Sequence, residues 1–472
     1  MLTIARNLAL GDGLSIEAGT TMTNGTQPLV TFVYAGLFWL VDGDRTAGVI
    51  LVQVVGFIIA VSSALLLYSL ARTAFRGEPS RHELAAVVAA TWYVSPLSTR
   101  FTQNCLETGA TTLMPMLIAL FLLKRTLDFD RSWRVGSCLA IGAFLGIAFW
   151  IRNDAVLASV AVCAMLVLSG MSRGGPGFGR RVFEAACVGT TALAVVSPWL
   201  LYNHLLFGSI IPVSGISQGA EGLAENLARV PAILAEQISL VLMIPVHWET
   251  RPFVLVGTSL AVIIWLFLVF QEAASISRSR RQWLGLLGVW ATLHVGFYGV
   301  IYGAGYFMGR YLFPLSTWAA LLSIWVLHRL WIRAGRPRPM PLAAACLGVI
   351  VAVSVGLDVR MYRHGRNNGH FQIVQWVDAN VSEDVWVGAI QTGTLGFFHD
   401  RTFNLDGKVS PPALRAKLEG RTFEYVLSRP IRYLVDWTGI ATWLADPAFG
   451  RHFELLLYDE ERNLAVLARR DF

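Results

Sequence analysis

The chain has 472 residues, 55% of them hydrophobic and 15% charged, with a mean hydropathy of +0.55. This balance excludes an ordinary soluble globular domain. The formal charge of +7 comes from arginines in short loops between apolar runs, not on one face or tail, which argues against a nucleic-acid partner. Of the 5 cysteines, Cys138, Cys163, Cys187 and Cys346 lie in apolar runs, so no disulfide framework is expected.

In chain order, residues 1–27 lack the basic start and unbroken apolar core of a signal peptide, because Arg6, Gly11, Asp12, Gly13 and Glu17 interrupt the run. Segment 28–41 follows a proline and is too short to cross a bilayer. It is expected to lie in the outer interface with Phe32, Tyr34, Phe38 and Trp39 at headgroup depth. About ten segments then approach the ~20 apolar residues that a span needs: 47–71, 83–98, 108–124, 135–151, 154–170, 182–203, 252–270, 283–304, 311–333 and 340–358. The long loop 204–251 contains a polar-flanked stretch, 232–247, expected to be interfacial or re-entrant.

Alternate loops carry most of the arginines, among them Arg72, Arg76, Arg131, Arg134, Arg180, Arg181, Arg278, Arg281 and Arg333. The positive-inside bias puts these loops in the cytoplasm and both chain ends outside. An outer N-terminal segment with no span before it leads us to expect a further helix upstream of Met1. From about residue 359 the composition turns polar, with β-prone stretches at 385–390, 424–428 and 454–469 and helical candidates at 370–379 and 411–418. The expected organisation is an outer loop and interfacial helix over 1–46, a transmembrane helical domain over 47–358, and a small extracytoplasmic α/β domain over 359–472.

The middles of spans 47–71, 108–124, 252–270 and 340–357 carry no charged side chain, which argues against an ion-coupled transporter. Polar groups gather instead at the outer ends: Gln103, Asn104 and Glu107; Arg152, Asn153 and Asp154; Tyr202 and Asn203; His247 and Glu249; Tyr306, Arg310 and Tyr311. Such a boundary suits a substrate with a lipid tail and a polar head. Each group also has a structural use. Glu107 starts a helix, where an acid is stabilising by roughly 0.3–1 kcal/mol. Arg152 and Asp154 could pair at a turn, His247 and Glu249 could be solvated, and His294 could serve helix packing. Arg310 opens its span on the arginine-poor side, against the topological bias.

The stretches IARNLALGDGL and TMTNGTQPL near the start, NCLETG (104–109), WIRND (150–154), SPWLLYNHLLFGSIIPVSG (197–215), GRYLFPL (309–315) and GAIQTGTLGFFHDRTFNLDGKVSP (388–411) carry a resemblance that extends over nearly the whole chain. It is to bacterial GT-C membrane glycosyltransferases of the protein mannosyltransferase and lipid A aminoarabinose transferase type. The resemblance implies transfer of a sugar from a polyprenyl-phosphate donor to a glycan, lipid or protein acceptor, on the outer face of a bacterial inner membrane. Membrane lipids are the surrounding partner, and a divalent cation, magnesium or manganese, could assist. The acidic pair that such proteins carry in the first outer loop is absent here, and is expected to lie upstream of Met1.

An attacking hydroxyl needs a carboxylate to take its proton, and a leaving lipid phosphate needs cations or N–H donors. Glu107 and Asp154 are the remaining catalytic candidates, and Arg310 and Arg152 the phosphate-binding ones. Asn24, Gln27, Asn104, Tyr202, Asn203, His247, Glu249 and Tyr311 are candidates for binding substrate. A lipid or polysaccharide flippase and a non-catalytic lipid-binding scaffold are the alternatives.

Overall fold

The computed structural model describes residues 1–124, 129–171, 175–218, 223–228, 238–243, 252–274, 276–302, 308–335, 340–364 and 370–470. They divide into two compact units: one of residues 1–52, 200–220 and 358–472, the other of 53–199 and 221–357.

Apolar runs without polar relief can satisfy their backbone groups in lipid only as helices, and each expected span is helical. Val135–Ile151 has the expected bounds, while Phe178–Phe207 extends beyond its expected segment at both ends. Six described helices have the length and apolarity to cross a membrane: Arg45–Ala74, Asn153–Gly170, Phe178–Phe207, Phe253–Ala273, Arg281–Ile301 and Gly309–Arg333. The chain is a multi-pass membrane protein. At 28–39, 110–123, 135–151 and 347–357 the apolar helices are shorter.

Prolines account for most departures from the expected spans. Pro96 splits segment 83–98 into Arg81–Tyr93 and Pro96–Thr102, because a residue before proline avoids the α region and Ser95 caps the second piece through Leu97 N. Pro314 similarly breaks segment 311–333 into Met308–Leu312, a 3₁₀ turn at Phe313–Leu315, and Ser316–Arg333. Segment 283–304 starts earlier, at Arg278, and ends in a π-turn at Phe297–Ile301. The Gly309–Arg333 helix is the inner one of its unit. Of its most apolar stretch 72% is buried, against 11% for Phe253–Ala273, which leaves the latter free to face lipid.

In the other unit, helix Leu2–Leu10 stops at Gly11, whose φ of 96° suits a left-handed cap. A hairpin pairs Ser15–Ile16 with Thr21–Met22, and helix Pro28–Trp39 follows. The tail folds as a five-stranded sheet in the order Thr402–Asn404, Val387–Ala389, Tyr433–Asp436, Leu464–Arg469, Phe453–Asp459. The first three strands are parallel and the last two antiparallel to their neighbours. The expected helices are found at Phe371–Asn380 and Pro411–Leu418. The expected strand at 424–428 is instead part of helix Thr422–Leu427, since a short apolar run fits either period.

Candidate active site

Three irregular segments of the larger helical unit carry one group of its polar side chains. The first, 103–109, turns where Asn104 Oδ1 accepts from Leu106 N at 3.0 Å. Gly109 lets it press against helix Pro96–Thr102, because a Cβ there would lie 2.9 Å from Thr102 Cα. The second is Arg152, extended at φ −160° between helix Val135–Ile151 and the 3₁₀ turn Asn153–Ala155. The third is the short helix Met308–Leu312 that Pro314 separates from the next span.

These segments bring Glu107, Arg152, Asp154, Arg310 and Tyr311 into one cluster. Glu107 Oε1 accepts from Arg310 Nη2 at 2.7 Å and lies 3.9 Å from Arg152 Nε. Arg152 Nε is 3.1 Å from Asp154 Oδ2. Its other nitrogens donate to Tyr298 Oη at 3.1 Å and to the Arg310 carbonyl at 3.3 Å. Tyr298 Oη in turn donates to Asp154 Oδ2 at 2.5 Å. The rings of Tyr298 and Tyr311 stack at 4.4 Å, with the Arg152 guanidinium 4.8 Å from the Tyr311 centroid. His294 Nε2 lies 2.7 Å from the Tyr311 carbonyl, and its ring meets Tyr298 edge-on.

Burial sorts these groups. Glu107 and Arg152 are 1% and 3% exposed, whereas Arg310 keeps 27% of its side chain open. Burial raises the Glu107 carboxyl, but Arg310 and then Arg152 outweigh it and hold the group below the ordinary carboxylate range. Arg152 is held charged against burial mainly by Asp154. Among the buried polar atoms of these groups, Glu107 Oε2, Arg310 Nε and His294 Nδ1 have no hydrogen-bond partner.

The same unit holds an apolar cavity of about 210 Å³, lined by Leu70, Phe75, Trp283, Leu287, Trp318 and Trp325 among others. Pro115, Ile118, Leu145, Ala158 and Trp290 line both this cavity and the small pocket that contains Arg152, Asp154 and His294. Neither Glu107 nor Asp154 fits a divalent-cation site. Each faces arginines, and among the described residues no three His, Cys, Asp or Glu side chains converge.

The remaining sequence candidates are elsewhere. In the other unit Asn24 and Asn203 are wholly buried. Asn24 Nδ2 donates to Asn203 Oδ1 at 3.2 Å, Val213 N donates to Asn24 Oδ1 at 3.0 Å, and Asn203 Nδ2 donates to the Ile210 carbonyl at 3.4 Å. Their amides therefore tie the end of helix Phe178–Phe207 to the first loop and to the segment that follows the helix. Gln27 is half-buried just before helix Pro28–Trp39, and the Tyr202 ring is 6.0 Å from Phe207. His247, Glu249 and Tyr306 lie outside the described residues. Sequence reasoning missed Tyr298, and it read His294 as a packing residue. Their spacing of four on one helix, inside an otherwise apolar run, was the available signal.

Residues 26–202 match the dolichyl-phosphate-mannose-protein mannosyltransferase family. The fold is similar to that of ArnT from Cupriavidus metallidurans. In its crystal structure bound to undecaprenyl phosphate the TM-score is 0.60 at 13% identity, covering 99% of this chain and 92% of that one. For the apo state the TM-score is 0.58 at 15% identity with the same coverage. An oligosaccharyltransferase from Archaeoglobus fulgidus, in complex with zinc and sulfate, is similar at TM-score 0.51 and 12% identity, over 91% of this chain and 63% of that one. No curated protein matches the sequence. The family match covers residues 26–202, and the solved structures are similar to this chain in fold.

Proposed function

We propose that the chain transfers a sugar from a polyprenyl-phosphate donor to a hydroxyl of a glycan, lipid or protein acceptor. The observation that carries this reading is that the apolar cavity shares side chains with the small pocket holding Arg152, Asp154 and His294. A prenyl chain suits the Trp- and Leu-lined cavity, and a phosphate suits the arginines of the cluster. A protein of this fold has been crystallised with undecaprenyl phosphate, which supports the same donor class here.

Within the cluster the two arginines have different work. Arg152 is engaged by Asp154, Tyr298 and the Arg310 carbonyl, so it holds the site in shape. Arg310 is partly open, with one nitrogen unpartnered, and is the phosphate ligand. As the sugar–phosphate bond breaks, negative charge grows on the phosphate oxygens, and a fixed guanidinium lowers that barrier. Tyr311 and Asn104 border the head of the site. The arginine-rich loops support an orientation with the cluster and the tail domain on the outer face of a bacterial inner membrane. The asparagine tie in the other unit shapes the first outer loop.

The test is retention of undecaprenyl phosphate by the purified full chain in lipid nanodiscs, compared with undecaprenol, which lacks the phosphate. Preference for the phosphate is expected, together with release of undecaprenyl phosphate from its sugar conjugate when membrane extract supplies the acceptor. Equal retention of both lipids, with no sugar transferred, would overturn the reading.

A further inference from the structure

A buried arginine and carboxylate that meet usually do so through two parallel hydrogen bonds. Arg310 and Glu107 make one, between Nη2 and Oε1. Arg310 Nε and Glu107 Oε2 remain without partners, although Glu107 is 1% exposed. Buried polar atoms are commonly satisfied, and here the unpartnered donor and acceptor belong to two side chains already joined by one bond. The other carboxylate offers a contrast: Asp154 Oδ2 is taken by both Arg152 and Tyr298. The half-made pair therefore presents one free N–H and one free carboxylate oxygen. A phosphate oxygen and a hydroxyl group complement those two atoms.

We propose that Arg310 and Glu107 are an exchangeable pair: the donor's phosphate draws Arg310 off Glu107, and the carboxylate so released takes the proton of the acceptor's hydroxyl. This rests on the glycosyl-transfer reading and adds to it the identity of the base and an order of binding. The hydroxyl O–H proton passes to Glu107 Oε2, the oxygen forms its bond to the anomeric carbon, and the bond from that carbon to the phosphate oxygen breaks. Polyprenyl phosphate leaves with the electron pair, and Glu107 later returns its proton to water.

With both arginines at hand the Glu107 carboxyl lies below the ordinary range and is a poor base. Arg152 stays, fixed by Asp154 and Tyr298. Loss of Arg310 alone raises the basicity only while donor is bound, which protects the donor from idle hydrolysis. Asp154 is then a positioning residue that keeps Arg152 in place.

The experiment compares the full chain, Glu107→Gln and Arg310→Ala for binding of undecaprenyl phosphate and for sugar transfer. In Glu107→Gln the charged competitor for Arg310 is gone, so binding should tighten about tenfold while transfer falls at least 100-fold. Arg310→Ala should lose both. Weaker binding in Glu107→Gln, or transfer that survives in it, would overturn the exchange. Failure of the wild-type chain to bind undecaprenyl phosphate would instead overturn the glycosyl-transfer reading beneath it. Should Glu107→Gln not fold, Glu107→Asp sets the carboxylate one methylene back from Arg310. Tighter lipid binding with reduced transfer is expected there too, and weaker binding overturns the proposal.

Discussion

Asp436 and Glu107 are both buried carboxylates, and they are satisfied in opposite ways. Asp436, in the tail sheet, accepts from Ile390 N at 2.5 Å, Gln391 N at 2.9 Å and Trp437 N at 2.7 Å. Burial pushes its carboxyl up against those bonds. Glu107 accepts from Arg310, lies near Arg152, leaves an oxygen unpartnered and has its carboxyl held below the ordinary range by those arginines. Backbone donors cannot move without unmaking the fold, so a carboxylate held by three of them is structural. Side-chain cations can move, so a carboxylate held by them can change partner during a reaction.

The comparison breaks most visibly at Arg152. Arg152→Ala leaves Asp154 buried without its cation, an expected loss of about 3–5 kcal/mol, and sugar transfer should vanish with it. Thermal melting in detergent, followed by a transfer assay, checks both. A variant as stable and active as the wild type would mean that the cluster is neither a support nor a site.

A smaller effect is expected in the other unit, where the first loop meets the tail segment. A Cβ on Gly25 would sit 2.7 Å from the Lys408 carbonyl oxygen and 3.0 Å from Val409 Cα. Backbone atoms cannot swing aside as a side chain can, so Gly25→Ala should cost about 1–3 kcal/mol. Melting, or proteolysis within 404–410, reads it. An unchanged melting temperature would show that this packing is looser than described.

The smallest effect sharpens the contrast through pH. Glu17 is 3% exposed; Thr21 Oγ1 donates to its Oε2 at 2.5 Å and Asn404 N to its Oε1 at 3.1 Å. Burial raises its carboxyl despite these bonds. Its contribution to stability is full below its unfolded pKa and is lost as pH rises through the raised folded value. Glu107 behaves oppositely: its contribution is present above its unfolded pKa and is lost as pH falls through the lowered folded value. Glu17→Gln should therefore flatten the melting profile on the side where the wild type weakens with rising pH, with a change of about 1 kcal/mol or less. The same slope in both proteins would assign the pH dependence to other groups.

Much of the site was legible as single residues. Glu107, Arg152, Asp154, Arg310 and Tyr311 stand out because polar side chains at the ends of apolar runs are few, and each has a chemical use there. Their pairing was not legible. Glu107 reads as the start of a helix, yet its partners come from two segments distant in sequence. Asn24 and Asn203 read as candidates for binding substrate, and only the folded chain shows them bonded to each other with no exposure. Tyr298 was invisible because a tyrosine near the end of an apolar run is by default an interface anchor.

The sequence by itself determined that this is a membrane protein, where its helices lie, and the bounds of segments such as Val135–Ile151 and Pro411–Leu418. Those features depend on local composition and period, which lipid and backbone hydrogen bonding read directly. Tertiary structure alone decided which charges meet, which carboxylate keeps an open oxygen, and that an apolar cavity shares walls with the ionic pocket. Those depend on how helices far apart in sequence pack, and hydrophobic periodicity says which face is apolar but not which neighbour it meets.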